Sequence, residues 1–157
     1  MDFISVRLAS ECDIKDIYEW RNDKITRQMS INSNIVKWEN HTKWFKNSLS
    51  SNKKILIICE DAYRNKISFV RFEINGSFAL ISINSNPKKR GKGFAKYCLI
   101  NSIKFFSNIF KEVDHLEAKI KEENLPSQKT FLRIGFIKYK IEDNIGYYVK
   151  KLDLKVN

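Results

Sequence analysis

Cysteine is scarce in this chain: Cys12, Cys59 and Cys98 are the only three in 157 residues. They form an odd, scattered set with no Cys-x-x-Cys pair, so neither a disulfide framework nor a zinc site is indicated, no metal is expected, and a reducing cytoplasm is the natural setting. Long apolar runs are missing too. No stretch approaches the roughly 20 residues of a membrane span, and the start, MDFISVRLAS, has no basic segment ahead of an apolar one. With two prolines and five glycines, no repeat, linker or low-complexity tract is visible, and the length predicts one domain over residues 1–157, large enough to bury a core. Acidic residues are outnumbered, 18 against 29 basic ones, for a formal charge of +11. That excess invites a nucleic-acid partner, but no RNA-recognition signature, basic helix or aromatic stacking platform is present. Lys88, Lys89, Arg90, Lys92 and Lys96 cluster instead around one turn. Neither a nucleic-acid nor a membrane partner is expected.

What the chain does have is a globular composition, 43% apolar and 13% aromatic. Residues 3–8 alternate as a strand. Ser10 to Asp13 offers caps for a helix running to about Trp20, with Ile14, Ile17 and Tyr18 as its apolar side. Residues 20–30 are polar and predict a loop or a short second helix. A helix over about 37–49 follows from Trp38, His41 or Thr42, Phe45 and Leu49. ILIICE, 55–60, reads as a buried strand. In the strand 66–74, Val70, Phe72 and Ile74 share one face and Phe69, Arg71 and Glu73 the other. Asn75-Gly76 predicts a hairpin turn into a strand at 78–85. Beyond the basic turn, Ala95, Leu99, Ile103, Phe106 and Phe110 make the apolar stripe of a long helix. A strand at 113–120 buries Leu116, Ala118 and Ile120, a helix covers about 126–133, and a hairpin turned at Asp143-Asn144 closes the chain. The pattern predicts mixed α/β architecture, with helices on both faces of one sheet.

The most informative stretch is 79–106, ALISINSNPKKRGKGFAKYCLINSIKFF. An apolar strand runs into a basic turn with two glycines that opens a long amphipathic helix. Backbone N–H groups pointing from the turn, the positive end of the helix dipole, and the close approach that Gly91 and Gly93 permit all suit a phosphate-bearing cofactor. Neither Gly-x-x-x-x-Gly-Lys-Ser/Thr nor Gly-x-Gly-x-x-Gly occurs.

The hexad Arg90-Gly91-Lys92-Gly93-Phe94-Ala95 resembles the Arg/Gln-x-x-Gly-x-Gly/Ala signature of the GNAT N-acetyltransferases. Further on, the segment from Asn124 and Ser127 through Phe131 to Gly135-Phe136 is similar to the Asn-x-x-Ser…Gly-Phe stretch that follows the family's fifth strand. The order β-α-α-β-β-β-α-β-α-β-β matches that fold over essentially the whole chain. The resemblance implies splayed fourth and fifth strands and a pyrophosphate of acetyl-CoA gripped by residues 90–95. It also implies that Ile83, Asn84 and Ser85 pair with pantetheine and polarise the thioester carbonyl, while Asn124, Ser127 and Phe131 lie along the cofactor. Asn124 and Ser127 also suit an ordinary helix start.

Acetyl transfer to an amine needs a neutral amine, donors for the developing oxyanion and a proton for the departing thiolate. The chain departs from the family twice. Leu80 stands where many relatives carry a carboxylate, and Phe131 where many carry a tyrosine acid. The remaining candidates for a base are Glu73, which can equally form a cross-strand ion pair, and His41, which can equally be a packed histidine. Tyr97, Tyr139, Tyr147 and Tyr148 are unranked candidates for the acid. Cys98 reads as a small packing residue, so direct transfer without a covalent enzyme intermediate is expected.

Trp20-Arg21-Asn22-Asp23, the helix bearing His41 and Trp44, and the strand with Arg71 and Glu73 carry a finer resemblance. They look like GNAT enzymes that acetylate the 4-amino group of nucleotide-linked aminodideoxy sugars in the pseudaminic and legionaminic acid pathways. That implies an acceptor wall of Trp20, Arg21, Asn22, His41, Trp44, Arg71 and Glu73, with arginine suited to a diphosphate and aromatics to a sugar or uracil. Ribosomal-protein N-terminal acetyltransferases share the style of helix pair and are the alternative. A non-catalytic acyl-CoA-binding module is the third reading. A homodimer is common in such enzymes.

Overall fold

The computed structural model describes residues 3–153; residues 1–2 and 154–157 of the expected 1–157 domain lie outside the described residues. Strand β1 (Ser5–Leu8) leads through a 3-10 turn into helices α1 (Ile14–Asn22), α2 (Lys24–Met29) and α3 (Trp38–Leu49). Strands β2 (Lys54–Glu60), β3 (Lys66–Asn75) and β4 (Phe78–Ser85) precede helix α4 (Phe94–Ile109). Strand β5 (His115–Lys121), helix α5 (Leu125–Arg133) and the hairpin β6 (Ile137–Glu142) and β7 (Ile145–Lys151) complete the chain. The seven strands form one sheet in the order β1-β2-β3-β4-β5-β7-β6. This is the expected order with α2 added inside the 20–30 stretch. Asp23 separates α1 from α2 because its backbone is non-helical while its carboxylate accepts the Thr26 N–H at 3.1 Å.

Both faces of the sheet are covered, which explains the unbroken apolar run of β2. Ile57 and Cys59 enter the core shared with α4, whereas Leu56 and Ile58 enter a second core with Ile17, Trp20 and Phe45 of α1 and α3. Phe72 of β3 stacks on Phe106 of α4 with centroids 4.2 Å apart, and each ring removed from water stabilises the fold by about 2–3 kcal/mol. Asp13 is fully buried beneath α1. It takes both Arg7 Nη atoms at 2.8 and 2.9 Å and Lys66 Nζ at 2.8 Å, and Arg7 also pairs with Glu60.

Two local expectations change. Helix α3 buries His41, Phe45 and Ser48, while Trp38 is 44% exposed and meets the edge of Tyr18 at 5.0 Å. The β3–β4 hairpin turns on Gly76-Ser77, because Asn75 still pairs with Phe78. Gly76 has positive φ and Ser77 does not, as in a type II′ turn. At the β6–β7 hairpin both Asp143 and Asn144 have positive φ, as a type I′ turn requires.

The feature that positions the site is a short parallel ladder. β4 and β5 pair only at Phe78–His115, Ala79–Leu116 and Leu80–Glu117. Beyond Leu80 the strands part, so the β5-facing N–H and C=O groups of β4 toward Ser85 have no strand partner. The splay implied by the family resemblance is present.

Candidate active site

The parted strands open a cavity of about 910 Å³ between the glycine turn, the ends of β4 and β5, the start of α5 and the helices α1–α3. Gly91 and Gly93 adopt φ of +73° and +78°, and a Cβ on either would point into open space. Backbone conformation and an accessible concavity, not internal crowding, therefore call for glycine here. Gly93 caps α4, whose first N–H groups lack helical partners and carry the positive end of the dipole. Lys89 and Arg90 line the cavity at this turn, and a smaller adjoining hollow of about 400 Å³ carries Lys92, Lys96 and Arg133. Exposed N–H groups, open space over two glycines and flanking cations fit the pyrophosphate of CoA.

The far half of the cavity is walled by side chains. Arg21 donates through Nη2 to the Asn32 carbonyl at 2.7 Å, while its Nη1 is buried without a partner. Arg71 of β3 lies 5.7 Å from the centroid of the Trp44 ring. Burial, with the charges of Arg71 and Arg27, pushes the Arg21 guanidinium below its usual pKa. Burial does the same to Arg71, with Glu73 opposing it. Among the described residues no aspartate or glutamate lines the cavity, whereas Arg21, Arg71, Lys89, Arg90 and Lys119 do.

Of the expected cofactor residues, Ile83, Asn84, Ser85, Arg90, Gly91, Gly93, Phe94, Ala95, Asn124, Ser127 and Phe131 all line this cavity. Lys92 lies in the adjoining hollow instead. Asn124 also caps α5 by accepting the Ser127 N–H at 3.3 Å. Arg90 turns its guanidinium to α2, where it donates to Asp23 Oδ2 and Thr26 Oγ1, each at 2.5 Å. The backbone of the turn is thus left facing the cavity while its arginine braces the acceptor wall.

The acceptor residues divide. Arg21, His41, Trp44 and Arg71 line the cavity; Trp20, Asn22 and Glu73 do not. Trp20 is 6% exposed and belongs to the core of α1 and α3. Asn22 acts on the wall indirectly, since its side chain donates to and accepts from the Val36 backbone at 2.8 Å each. Glu73 sits opposite Leu80, where β4 and β5 are still zipped, which keeps it away from the splay. His41 is 2% exposed, and its Nε2–H donates to the Ile14 carbonyl at 2.9 Å. Burial lowers its pKa, partly offset by that bond, so the ring is neutral near pH 7 and only Nδ1 is left to accept a proton. None of the four candidate tyrosines lines the cavity.

Lys89, expected in the basic cluster at the turn, lines the cavity, whereas Lys119, Thr26 and Asn32 are cavity residues that sequence reasoning missed. Alternation puts Lys119 on the exposed face of β5, and that face becomes a wall only because the strands part.

Residues 4–137 match the family model described as an acetyltransferase (GNAT) domain. Among curated proteins there is no significant match. The fold is similar to a domain from Methanocaldococcus jannaschii (TM-score 0.83, 23% identity, 97% of this chain and 100% of that one). It is also similar to the spermidine N-acetyltransferase of Vibrio cholerae in complex with CoA and spermine (TM-score 0.84, 19% identity, 98% of each chain). No helix among the described residues is long and apolar enough to cross a membrane. A glycine turn shaped for pyrophosphate, the splayed β4 and β5, and a family match over most of the length agree: this chain belongs to the GNAT family of acetyl-CoA-dependent N-acetyltransferases.

Proposed function

We propose that the chain transfers acetyl directly to the amine of an anionic small molecule, and that the 4-amino group of a UDP-linked aminodideoxy sugar is the acceptor. The observation that carries this reading is the charge of the cavity: Arg21, Arg71 and Lys119 on its wall have no carboxylate partner among the described residues, and Lys89 and Arg90 are paired with carboxylates that lie off the lining. A polyamine meets the unpaired charges of Arg21, Arg71 and Lys119, with a repulsion of roughly 3 kcal/mol for each like pair at about 6 Å and an effective dielectric of 20. A diphosphate meets arginine forks, which bind such groups bidentately.

Bound acetyl-CoA supplies an acetyl thioester. The β5-facing backbone groups of Ile83 and Ser85, left unpaired by the splay, would hold the pantetheine arm and polarise the carbonyl through their N–H groups as negative charge develops on it, while the backbone of Asn84 pairs with Phe69 of β3. Among the described residues no carboxylate lines the cavity to act as base, and His41 has one ring nitrogen committed to Ile14. An amine of pKa near ~8 is partly neutral at pH 7, and nearby arginines favour its neutral form further. The same cations stabilise the departing thiolate, which asks less of a dedicated acid.

Thiol release from acetyl-CoA, measured with a UDP-linked 4-amino-4,6-dideoxy sugar beside spermidine and a basic N-terminal peptide, tests the reading. Release with the sugar is expected. Release only with the peptide moves the chain to the protein-acetylating reading, and release only with spermidine overturns the anionic acceptor.

A further inference from the structure

Resting on that reading, we infer that Arg21 and Arg71 form a second phosphate seat, distinct from the glycine turn, which takes the diphosphate of the acceptor. The two guanidiniums come from different elements, α1 and β3, and meet on one wall of the cavity. Neither has an acidic partner there. Arg71 makes no hydrogen bond or ion pair among the described residues; its contact is the Trp44 ring. Arg21 spends Nη2 on Asn32 and keeps Nη1 buried and unbonded. Leaving a buried donor unmet and placing two like charges together both cost stability, so the arrangement needs an anion to complete it.

The chain does not lack the means to neutralise arginine. Arg7 engages both Asp13 and Glu60, and Arg90 engages Asp23. Among the described residues the acids are absent from the wall that holds Arg21 and Arg71. Two planar forks at one site match a diphosphate, whose oxygens can accept from both at once. CoA's own pyrophosphate is assigned to the backbone of the glycine turn, a different element of the cavity lining from α1 and β3, so the two phosphate groups have separate partners.

The test is titration of UDP, inorganic pyrophosphate and uridine into the enzyme saturated with CoA, which keeps the glycine turn filled. UDP and pyrophosphate are expected to bind and uridine to bind much more weakly. Arg21→Ala and Arg71→Ala should each weaken UDP by about ten- to hundredfold, with Arg71→Lys intermediate because it keeps the charge without the fork. CoA affinity should stay within about twofold of wild type in all three, and Lys104→Ala, on the outer face of α4, should leave UDP binding unchanged. UDP that fails to bind the CoA-saturated enzyme overturns the seat, and so does a loss of CoA affinity parallel to that of UDP, which would mark a structural role. Turnover of the UDP-sugar without UDP binding removes the seat and leaves the proposed activity standing. UDP binding that depends on both arginines, without turnover of the sugar, keeps the seat and replaces the acceptor by another phosphate-bearing amine.

Discussion

The two halves of the cavity are built by different means. At the glycine turn the backbone faces the cavity, and Arg90 turns away to hold Asp23 and Thr26. On the acceptor wall side chains do the work, with Arg21, Trp44 and Arg71 brought together from α1, α3 and β3. A backbone site depends on conformations that a few adjacent residues dictate, whereas a side-chain site depends on how separate elements pack. The comparison teaches that the first kind can be recognised locally and retuned little, while the second can change its ligand by changing a few surface positions.

The comparison breaks most severely at Gly93. Gly93→Asp combines a strained positive φ with a negative charge at the phosphate position, and acetyl-CoA affinity measured by calorimetry should fall by at least about 100-fold. Unchanged affinity would remove the backbone site. Next, Arg21→Ala should raise the acceptor KM by about tenfold and the acetyl-CoA KM by less than about twofold. Equal effects on both would erase the division between the halves.

Asp13 sharpens the contrast between neutralised and unneutralised cations. Its burial favours the protonated acid, but hydrogen bonds from Arg7, Lys66 and the Ser10 N–H outweigh that and hold its carboxyl well below the usual range. A depressed folded pKa contributes stability that is present above the unfolded value near ~3.9 and is lost as pH falls toward the folded one. Thermal melts should therefore show a steep loss below about pH 4 in wild type. Asp13→Asn should flatten that limb and cost about 3 kcal/mol at pH 7, the low end for breaking a buried pair, because Arg7 and Lys66 keep access to water. The smallest effect is expected at Glu73, outside the cavity. Glu73→Gln should leave kcat/KM within about twofold and the pH–rate profile unshifted, and loss of the acidic limb, the fall in rate as pH drops, would restore Glu73 as the base.

Much of the fold was legible because its signals are local. Gly91 and Gly93 before an amphipathic run, Asp143-Asn144 between two alternating strands, and ILIICE without alternation each imply one backbone answer. Legibility failed where partners are distant. Trp38 has the right spacing for the buried side of α3, yet it stays 44% exposed because His41 and Phe45 already fill the space against α1 and the sheet. Glu73 shares a strand face with Arg71 but falls outside the cavity, since the point at which β4 leaves β5 is not written in β3. Asn22 looked like a contact residue and is a brace for Val36.

The sequence by itself determined the strand and helix order and the left-handed glycine turn that opens α4, because left-handed backbone, helix dipole and hydrophobic period are properties of short segments. Only the tertiary structure decided which cations share the cavity, that no carboxylate among the described residues joins them, and that His41 gives Nε2 to Ile14. Those outcomes depend on where β4 and β5 part and how α1, α3 and β3 converge, and long-range packing sets them.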